Sequence, residues 1–390
     1  MENSVKIFLS AGEASGEHYG AALIPALRAK MAGASFLGLG GQRMEALGMR
    51  RIVRAEDVAV MGITEVVRHL PRIYGEYRRL KRSIAVERPD LAILIDFPDV
   101  NLALARTLHE QGTPVLYFVS PQLWAWKKYR ISKVQRYIDK MLVIFPFEEG
   151  FYREHGVEAE FVGHPLAELP LPSISRASFA AAHGLDAARH WVGLLPGSRG
   201  KEIRLNLPGM VATAAQLGPD YEYLLPLAPT LTATQRQHAR ELLSRLLAAH
   251  TPAPRITIVE DARAALYHAR ASIVASGTAT VEAALIGNPF VVVYQISAAS
   301  YAIARRVVKV PHVAMANLIA EKRMVPEFIQ HEYTPERVAE AMRRLLLDEA
   351  ARRQMQDELK QMRARLGAVG NAPIERVAEV ATSMLRQAER

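Results

Sequence analysis

The chain has 390 residues, half of them hydrophobic and 23% charged, a composition that supports folded cores and excludes a long disordered tail. Domains cluster at about 100 to 200 residues, so a chain of this length is expected to form two. The absence of cysteine excludes disulfides, thiolate metal sites and a cysteine nucleophile, while a formal charge of +9 suits a polyanionic partner such as nucleic acid, anionic lipid or a phosphorylated substrate.

Met1 to Lys6 lead directly into an apolar strand without the pattern of an export signal, so a cytoplasmic location is expected. The strand is followed by Ala11-Gly-Glu-Ala-Ser-Gly16, a turn into a helix that offers the acid Glu13 and, in Ser15, an expected N-cap. Gly12, Gly16 and Gly20 are spaced four apart, so a Gly-x-Gly-x-x-Gly dinucleotide site fits poorly. Short apolar strands then alternate with helical patterns: Val5 to Leu9, Ser35 to Leu39, Leu91 to Ile95, Val115 to Val119, Met141 to Ile144 and Glu160 to Val162. Such alternation predicts a parallel sheet with helices on both faces.

Between the second and third of these strands, Val66, Leu70, Ile73, Tyr77, Leu80 and Ile84 recur at helical spacing, with Arg68, Arg72, Arg78, Arg79, Lys81 and Arg82 between them. The pattern fits either a helix packed on its own domain or a surface for an anionic membrane. Pro71 is expected to kink that helix or mark its start. After Leu91 to Ile95 comes Asp96-Phe-Pro-Asp99, a carboxylate where a buried strand emerges, which is where a general base belongs. The competing reading of Asp96 is a carboxylate tied to a neighbouring loop, and Asp99 or Asn101 is expected to cap a helix starting near Leu102.

Three prolines within Gly163 to Pro172 mark a linker, after which the plan repeats with strands near Trp191 to Leu195, Tyr223 to Pro226, Ile256 to Val259, Ala271 to Ala275 and Phe290 to Tyr294. The expected fold is therefore α/β, two facing Rossmann-like domains with one cleft between them and a helical C-terminus, divided as 1–165, 166–355 and 356–390. Leu195-Pro-Gly-Ser-Arg199 and Ala275-Ser-Gly-Thr-Ala279 are strand-to-helix turns suited to phosphate, because first-turn N–H groups lack internal partners and the helix dipole favours an anion. Ser198 and Arg199 from the first, and Ser276, Gly277 and Thr278 from the second, are the candidate diphosphate ligands. Glu282 is placed to accept two vicinal ribose hydroxyls, against a structural role in its helix's first turn. Asn317, in Met315-Ala-Asn-Leu-Ile319, signals little alone. No Walker A, Asp-x-Asp or His-Glu-x-x-His pattern occurs, so no metal and no cofactor are expected, and the absence of nucleic-acid signatures argues against nucleic acid. His18 and His164 lie near candidate loops without a carboxylate at a telling spacing.

Taken together, Ala11-Gly-Glu-Ala-Ser-Gly16, Met61-Gly-Ile-Thr-Glu-Val66, Ile95-Asp-Phe-Pro-Asp99, Val119-Ser-Pro-Gln-Leu-Trp-Ala-Trp126, Val162-Gly-His-Pro165, Leu195-Pro-Gly-Ser-Arg199 and Ala275-Ser-Gly-Thr-Ala279 strongly resemble the lipid-A-disaccharide synthase family, nearly end to end. The resemblance implies an inverting, metal-independent glycosyltransferase of GT-B architecture. Its substrates would be UDP-2,3-diacylglucosamine and 2,3-diacylglucosamine 1-phosphate, joined as a β-1,6 disaccharide with release of UDP. It implies Asp96 as base for the acceptor 6-hydroxyl, Arg199, Glu282 and Asn317 on the UDP side, and Glu13, Ser15, Met61 and Gly62 on the acceptor side. It also implies peripheral attachment to the cytoplasmic face of the inner membrane and a last helical stretch returning to the first domain, and it leaves a homodimer open. Two departures stand out: Glu17 where the family usually has Asp, and Met315-Ala-Asn-Leu-Ile-Ala-Glu321 where it usually has Leu-Pro-Asn-Leu-Ile-Ala-Gly. A UDP-sugar epimerase of the same plan and a non-catalytic UDP-sugar sensor are the rival readings.

Overall fold

The computed structural model describes residues 5–58, 63–307, 310–367 and 370–388. The chain forms two compact units, one of Met1–Glu168 with Leu366–Arg390, the other of Leu169–Arg365.

The first unit is built on a seven-stranded sheet of β1 (Lys6–Ala11), β2 (Ser35–Gly40), β3 (Arg50–Arg54), β4 (Leu91–Ile95), β5 (Val115–Phe118), β6 (Lys140–Val143) and β7 (Ala159–Phe161). The order is β3-β2-β1-β4-β5-β6-β7 and every pairing is parallel. All five residues of β4 are buried, because a parallel strand covered on both faces has no solvent side to alternate with. Each fully buried Leu or Ile there contributes about 1.5–3 kcal/mol. Helix Pro373–Ala388 packs on helix Ala14–Lys30 and on β4, so the end of the chain completes this unit's core.

The second unit repeats the plan with β8 (His190–Leu195), β9 (Tyr221–Pro226), β10 (Arg255–Val259), β11 (Ala271–Ala275), β12 (Phe290–Tyr294) and β13 (Glu327–Ile329). Its order is β10-β9-β8-β11-β12-β13, again wholly parallel. Two doubly wound α/β sheets and a helical C-terminal region are as the sequence predicts. In each sheet the order reverses between two central strands, β1 and β4 in one and β8 and β11 in the other. Ligands of such sheets bind beyond the carboxyl ends of the strands at this reversal.

Two strands escaped the sequence reading, β3 (Arg-Arg-Ile-Val-Arg) and β13 (Glu-Phe-Ile). Both are edge strands, charged or short, and carry no long apolar run. Position 71 lies within an unbroken helix Ile63–Glu87, which does not start there. On that helix Leu80 and Ile84 are buried, while Arg72, Arg78, Arg79, Lys81 and Arg82 are exposed.

Candidate functional site

In the first unit the reversal lies where β1 and β4 end. Asp96 leaves β4 with φ 48° and Phe97 follows with φ 49°, two successive left-handed residues without glycine. Such a conformation costs about 1–3 kcal/mol per residue and persists only when its surroundings impose it. Buried Asn101 imposes it here: its Nδ2 donates to the carbonyl oxygens of Asp96 (2.7 Å), Ile95 (3.2 Å) and Ser10 (3.3 Å), and its Oδ1 accepts from Ser10 Oγ. Tyr117 adds a phenol hydrogen bond of 2.6 Å to the Asp96 carbonyl. The backbone beneath the Asp96 carboxylate is thus held from two sides, the half-buried side chain standing at the strand's carboxyl end.

The helix after Asp96 begins at Pro98 with Phe97 as N-cap, four residues earlier than expected, because Pro98 fills the N1 position. Asp99 and Asn101 therefore do not cap it. Asp99 instead pairs with Arg130 and, at 3.5 Å, with Lys127. Partial burial raises the Asp99 pKa, but these two cations outweigh that and hold it below the usual range. Gly12 at the end of β1 leaves room for the Phe97 ring, since a Cβ there would lie 2.2 Å from it. Glu13, not Ser15, is the N-cap of helix Ala14–Lys30, and Ser15 sits in the first turn. Glu17 accepts the Arg43 N–H at 2.8 Å, giving this chain's departure from the family pattern a structural task. Met61 and Gly62 lie outside the described residues.

Beside β4, the loop after β5 carries Ser120-Pro-Gln-Leu-Trp124. A wholly buried carboxylate, Glu148, holds it: Oε1 accepts from Ser120 Oγ (2.7 Å) and Trp124 Nε1 (3.1 Å), and Oε2 from Phe145 N (3.2 Å). Burial pushes its pKa from 4.5 to about 7, against the pull of these donors. The sequence reading missed Glu148, although Pro146 at N1 and an acid at N3 of the next helix were visible signals. His164 is buried and its Nδ1 accepts from Leu166 N at 3.1 Å; burial lowers its pKa to about 3, so it is a neutral core residue.

In the second unit the reversal lies where β8 and β11 end. Gly197 has φ 122°, and a Cβ there would meet Glu202 Oε2 at 2.5 Å. Glu202, also missed from sequence, accepts the Ser198 N–H at 2.9 Å and pairs with Arg199 at 3.2 Å. Arg199 is the N-cap residue of helix Gly200–Leu217, its side chain about half exposed. Asn206 repeats the part of Asn101: it donates to Pro196 O (3.1 Å) and accepts from Gln295 N (3.0 Å).

At the end of β11, Ser276 N donates to Val293 O at 3.0 Å, so the sheet has taken that amide, and the Ser276 hydroxyl donates a long bond of 3.4 Å to Val313 O that a ligand would have to displace. Gly277, with φ 145°, is the N-cap residue of helix Thr278–Ile286, and buried Thr280 fixes it by donating Oγ1 to Gly277 O at 2.7 Å. The amides of Gly277, Thr278 and Ala279 have no acceptor among the described residues. Glu282 lies one turn further in, with no side-chain cap bond. Its pKa is raised by burial and by Asp261, and lowered in part by Arg263. Asn317, expected on the UDP side, is fully buried and saturated: it donates to Val325 O (2.9 Å) and Glu327 Oε1 (2.7 Å) and accepts from Met324 N and Val325 N (2.8 Å each). It orders the chain before β13 and has no hydrogen-bonding position left for a ligand.

The arrangement gives the first unit a half-buried carboxylate on an imposed backbone, and the second unit a turn whose amides lack acceptors among the described residues, with Arg199 and the partly buried Glu282 on the elements that start at the same reversal. A sequence profile described as Lipid-A-disaccharide synthetase matches residues 7–380. The lipid-A-disaccharide synthase of Acidobacterium capsulatum is 72% identical over 392 residues, covering 99% of this chain and 98% of that protein. That of Koribacter versatilis is 50% identical over 98% of this chain and 99% of the relative. Among solved structures, a putative UDP-N-acetylglucosamine 2-epimerase from Listeria monocytogenes has a TM-score of 0.63 at 14% identity, covering 99% and 98% of the two chains. The calicheamicin glycosyltransferase has a TM-score of 0.61 at 15% identity, with both chains wholly covered. At these identities the likeness is one of fold, the two-Rossmann GT-B class.

Proposed function

The chain belongs to the lipid-A-disaccharide synthase family, and from that premise we propose that it transfers 2,3-diacylglucosamine from UDP-2,3-diacylglucosamine to 2,3-diacylglucosamine 1-phosphate, releasing UDP. Family membership across nearly the whole chain carries this reading. Asp96 is the proposed base. A carboxylate fixed at a strand end can take the acceptor hydroxyl proton as the oxygen attacks the anomeric carbon, a contribution of about 100 to 10,000-fold. Attack opposite the departing diphosphate inverts that carbon.

Breaking the glycosyl phosphate bond leaves negative charge on UDP. The Gly277 and Thr278 amides, the Ser276 hydroxyl, the Ser198 loop and the Arg199 guanidinium are the groups proposed to receive it, doing the work a metal would otherwise do. Glu202 holds the guanidinium by one edge and thereby orients it. Glu282 is proposed to accept the ribose hydroxyls, and Glu13 and Ser15 to line the acceptor side.

Peripheral attachment at the cytoplasmic face of the inner membrane is part of the proposal, supported by the exposed basic side of helix Ile63–Glu87 and by acylated substrates. No helix among the described residues is long and apolar enough to cross a bilayer. Charge reversal of Arg78, Arg79, Lys81 and Arg82 should abolish binding to anionic vesicles, and unchanged binding removes the helix from that role.

The decisive assay supplies the acylated UDP-sugar with and without the acylated monosaccharide phosphate. Acceptor-dependent UDP release with disaccharide product is expected. Isomerised sugar without acceptor would mean an epimerase, and binding without product a sensor. Asp96→Asn should lower turnover at least about 100-fold while UDP binding stays within about twofold, and full activity in that variant would move the base elsewhere.

A further inference from the structure

At the amino ends of β8 and β11, the far end of the second unit's sheet from Ser198 and Gly277, lies a cavity of about 380 Å³ lined by Arg176, Arg189, His190, His268, Arg270 and Arg352. At about 3.3 Å per residue, the length of β8 separates it from the nucleotide-side loops by roughly 16 Å. We propose that this cavity is a second anion site, taking a phosphate group.

Backbone carbonyls hold Arg176, Arg189 and Arg270 in place. Arg176 donates to Ala187 O (3.1 Å), His268 O (2.7 Å) and Arg189 O (2.6 Å), and its guanidinium lies 3.6 Å over the Trp191 ring. Arg270 Nε donates to Leu346 O at 2.8 Å. A carbonyl orients a guanidinium without neutralising it, so the groups are positioned while their charge remains. Asp186 and Glu349 are more than half exposed and stand 3.6 Å from Arg189 and 3.8 Å from Arg352. At that length, with the acid itself in solvent, each carboxylate offsets the arginine charge only in part. Glu222, the other acid near Arg176, accepts the Asp186 N–H at 2.9 Å and offsets part of the Arg176 charge.

One terminal guanidinium nitrogen of Arg352 is buried with no hydrogen-bond partner among the described residues, so no acid accepts from that edge of the group. The neighbours feel the excess charge. Burial and then Arg352 lower the Arg270 pKa, and burial followed by Arg270, Arg176 and Arg352 lowers that of His190.

The donors come from four separate chain segments: the start of helix Arg176–His183, the residues entering β8, the residue before β11, and helix Glu349–Leu366. A carboxylate lies in one plane and matches one guanidinium at a time. A tetrahedral dianion presents oxygens in several directions and suits donors arranged this way. The volume is that of a small-ligand pocket, enough for a phosphorylated small molecule or a lipid phosphate headgroup.

The test titrates inorganic phosphate into the full-length protein at low ionic strength and follows the His190 ring proton by NMR, assigned with His190→Gln. Saturable binding at about 1 mM or below is expected, with the His190 pKa rising as the anion offsets the cations, and acetate should have neither effect. Arg270→Gln and Arg352→Gln should each weaken binding about tenfold or more, and Arg352→Lys less, with near-native melting temperatures showing that each is folded. Saturating UDP should leave the phosphate effect intact. Absence of saturation up to about 20 mM phosphate, undiminished binding in both glutamine variants, or full competition by UDP would each overturn the proposal. Vesicles with and without phosphatidic acid separate the two sources. A His190 shift on the acidic vesicles alone assigns a lipid headgroup, and a shift with free phosphate alone assigns a soluble ligand.

Discussion

Glu148→Gln isolates the buried carboxylate behind the Ser120 to Trp124 loop. In the folded chain Glu148 binds its proton with a pKa near 7 against an ordinary value of 4.5, so between those limits the folded state keeps a proton the unfolded state has released. Its contribution to stability is therefore complete below about pH 4.5 and is lost as pH rises through about 7. At about 1.4 kcal/mol per unit, the span from 4.5 to about 7 amounts to about 3 kcal/mol. The glutamine side chain has no such loss. Both oxygens of the protonated acid can still accept, whereas the amide NH2 cannot, so either Phe145 N–H or the Ser120 and Trp124 donors lose their acceptor, at about 1–3 kcal/mol. The variant should be the less stable protein at about pH 5, by about 1–3 kcal/mol, and should draw level with or overtake wild type at about pH 8. Urea unfolding followed by tryptophan emission, run in parallel on both proteins at the two pH values, measures the change in the gap. A gap equal at both pH values would refute the argument, because it would mean that Glu148 does not change protonation between them.

Asn101→Ala should leave the carbonyls of Ser10, Ile95 and Asp96 without their shared donor and destabilise the first unit by about 2–4 kcal/mol, with a fall in turnover greater than the loss of folded protein; calorimetry and a parallel rate measurement would show it, and a near-neutral substitution would contradict the bracing role. Gly197→Ala forces a Cβ onto Glu202 at a φ of 122°, so UDP affinity should fall at least about tenfold by calorimetric titration, and unchanged affinity would detach this loop from the diphosphate.

The central strands were readable because β4 is an uninterrupted apolar run and β1, β8 and β11 are mainly apolar, each followed by turn residues that carry the candidate ligands. The edges were not: β3 has only two adjacent apolar residues flanked by arginines, and β13 is three residues whose pairing with β12 is settled by tertiary contact. Pro98 announced the start of its helix, but the acids nearby drew attention to a later cap. Residues that act on the backbone were hardest to see. Asn317 looked like a ligand residue and proved to be saturated, while Asn101 and Asn206 have partners up to 91 positions away or on carbonyls that sequence does not distinguish.

The division of the first unit between Met1–Glu168 and Leu366–Arg390 bears on how the protein is made. A ribosome delivers Leu169–Arg365 as one unbroken stretch, so that portion can mature while translation continues. The nascent first unit must wait for helix Pro373–Ala388, leaving the face of helix Ala14–Lys30 that it covers open to chaperones or to aggregation. Termination between residues 366 and 373 should therefore harm the start of the protein more than its middle, and proteolysis of such truncated chains should begin in the first unit.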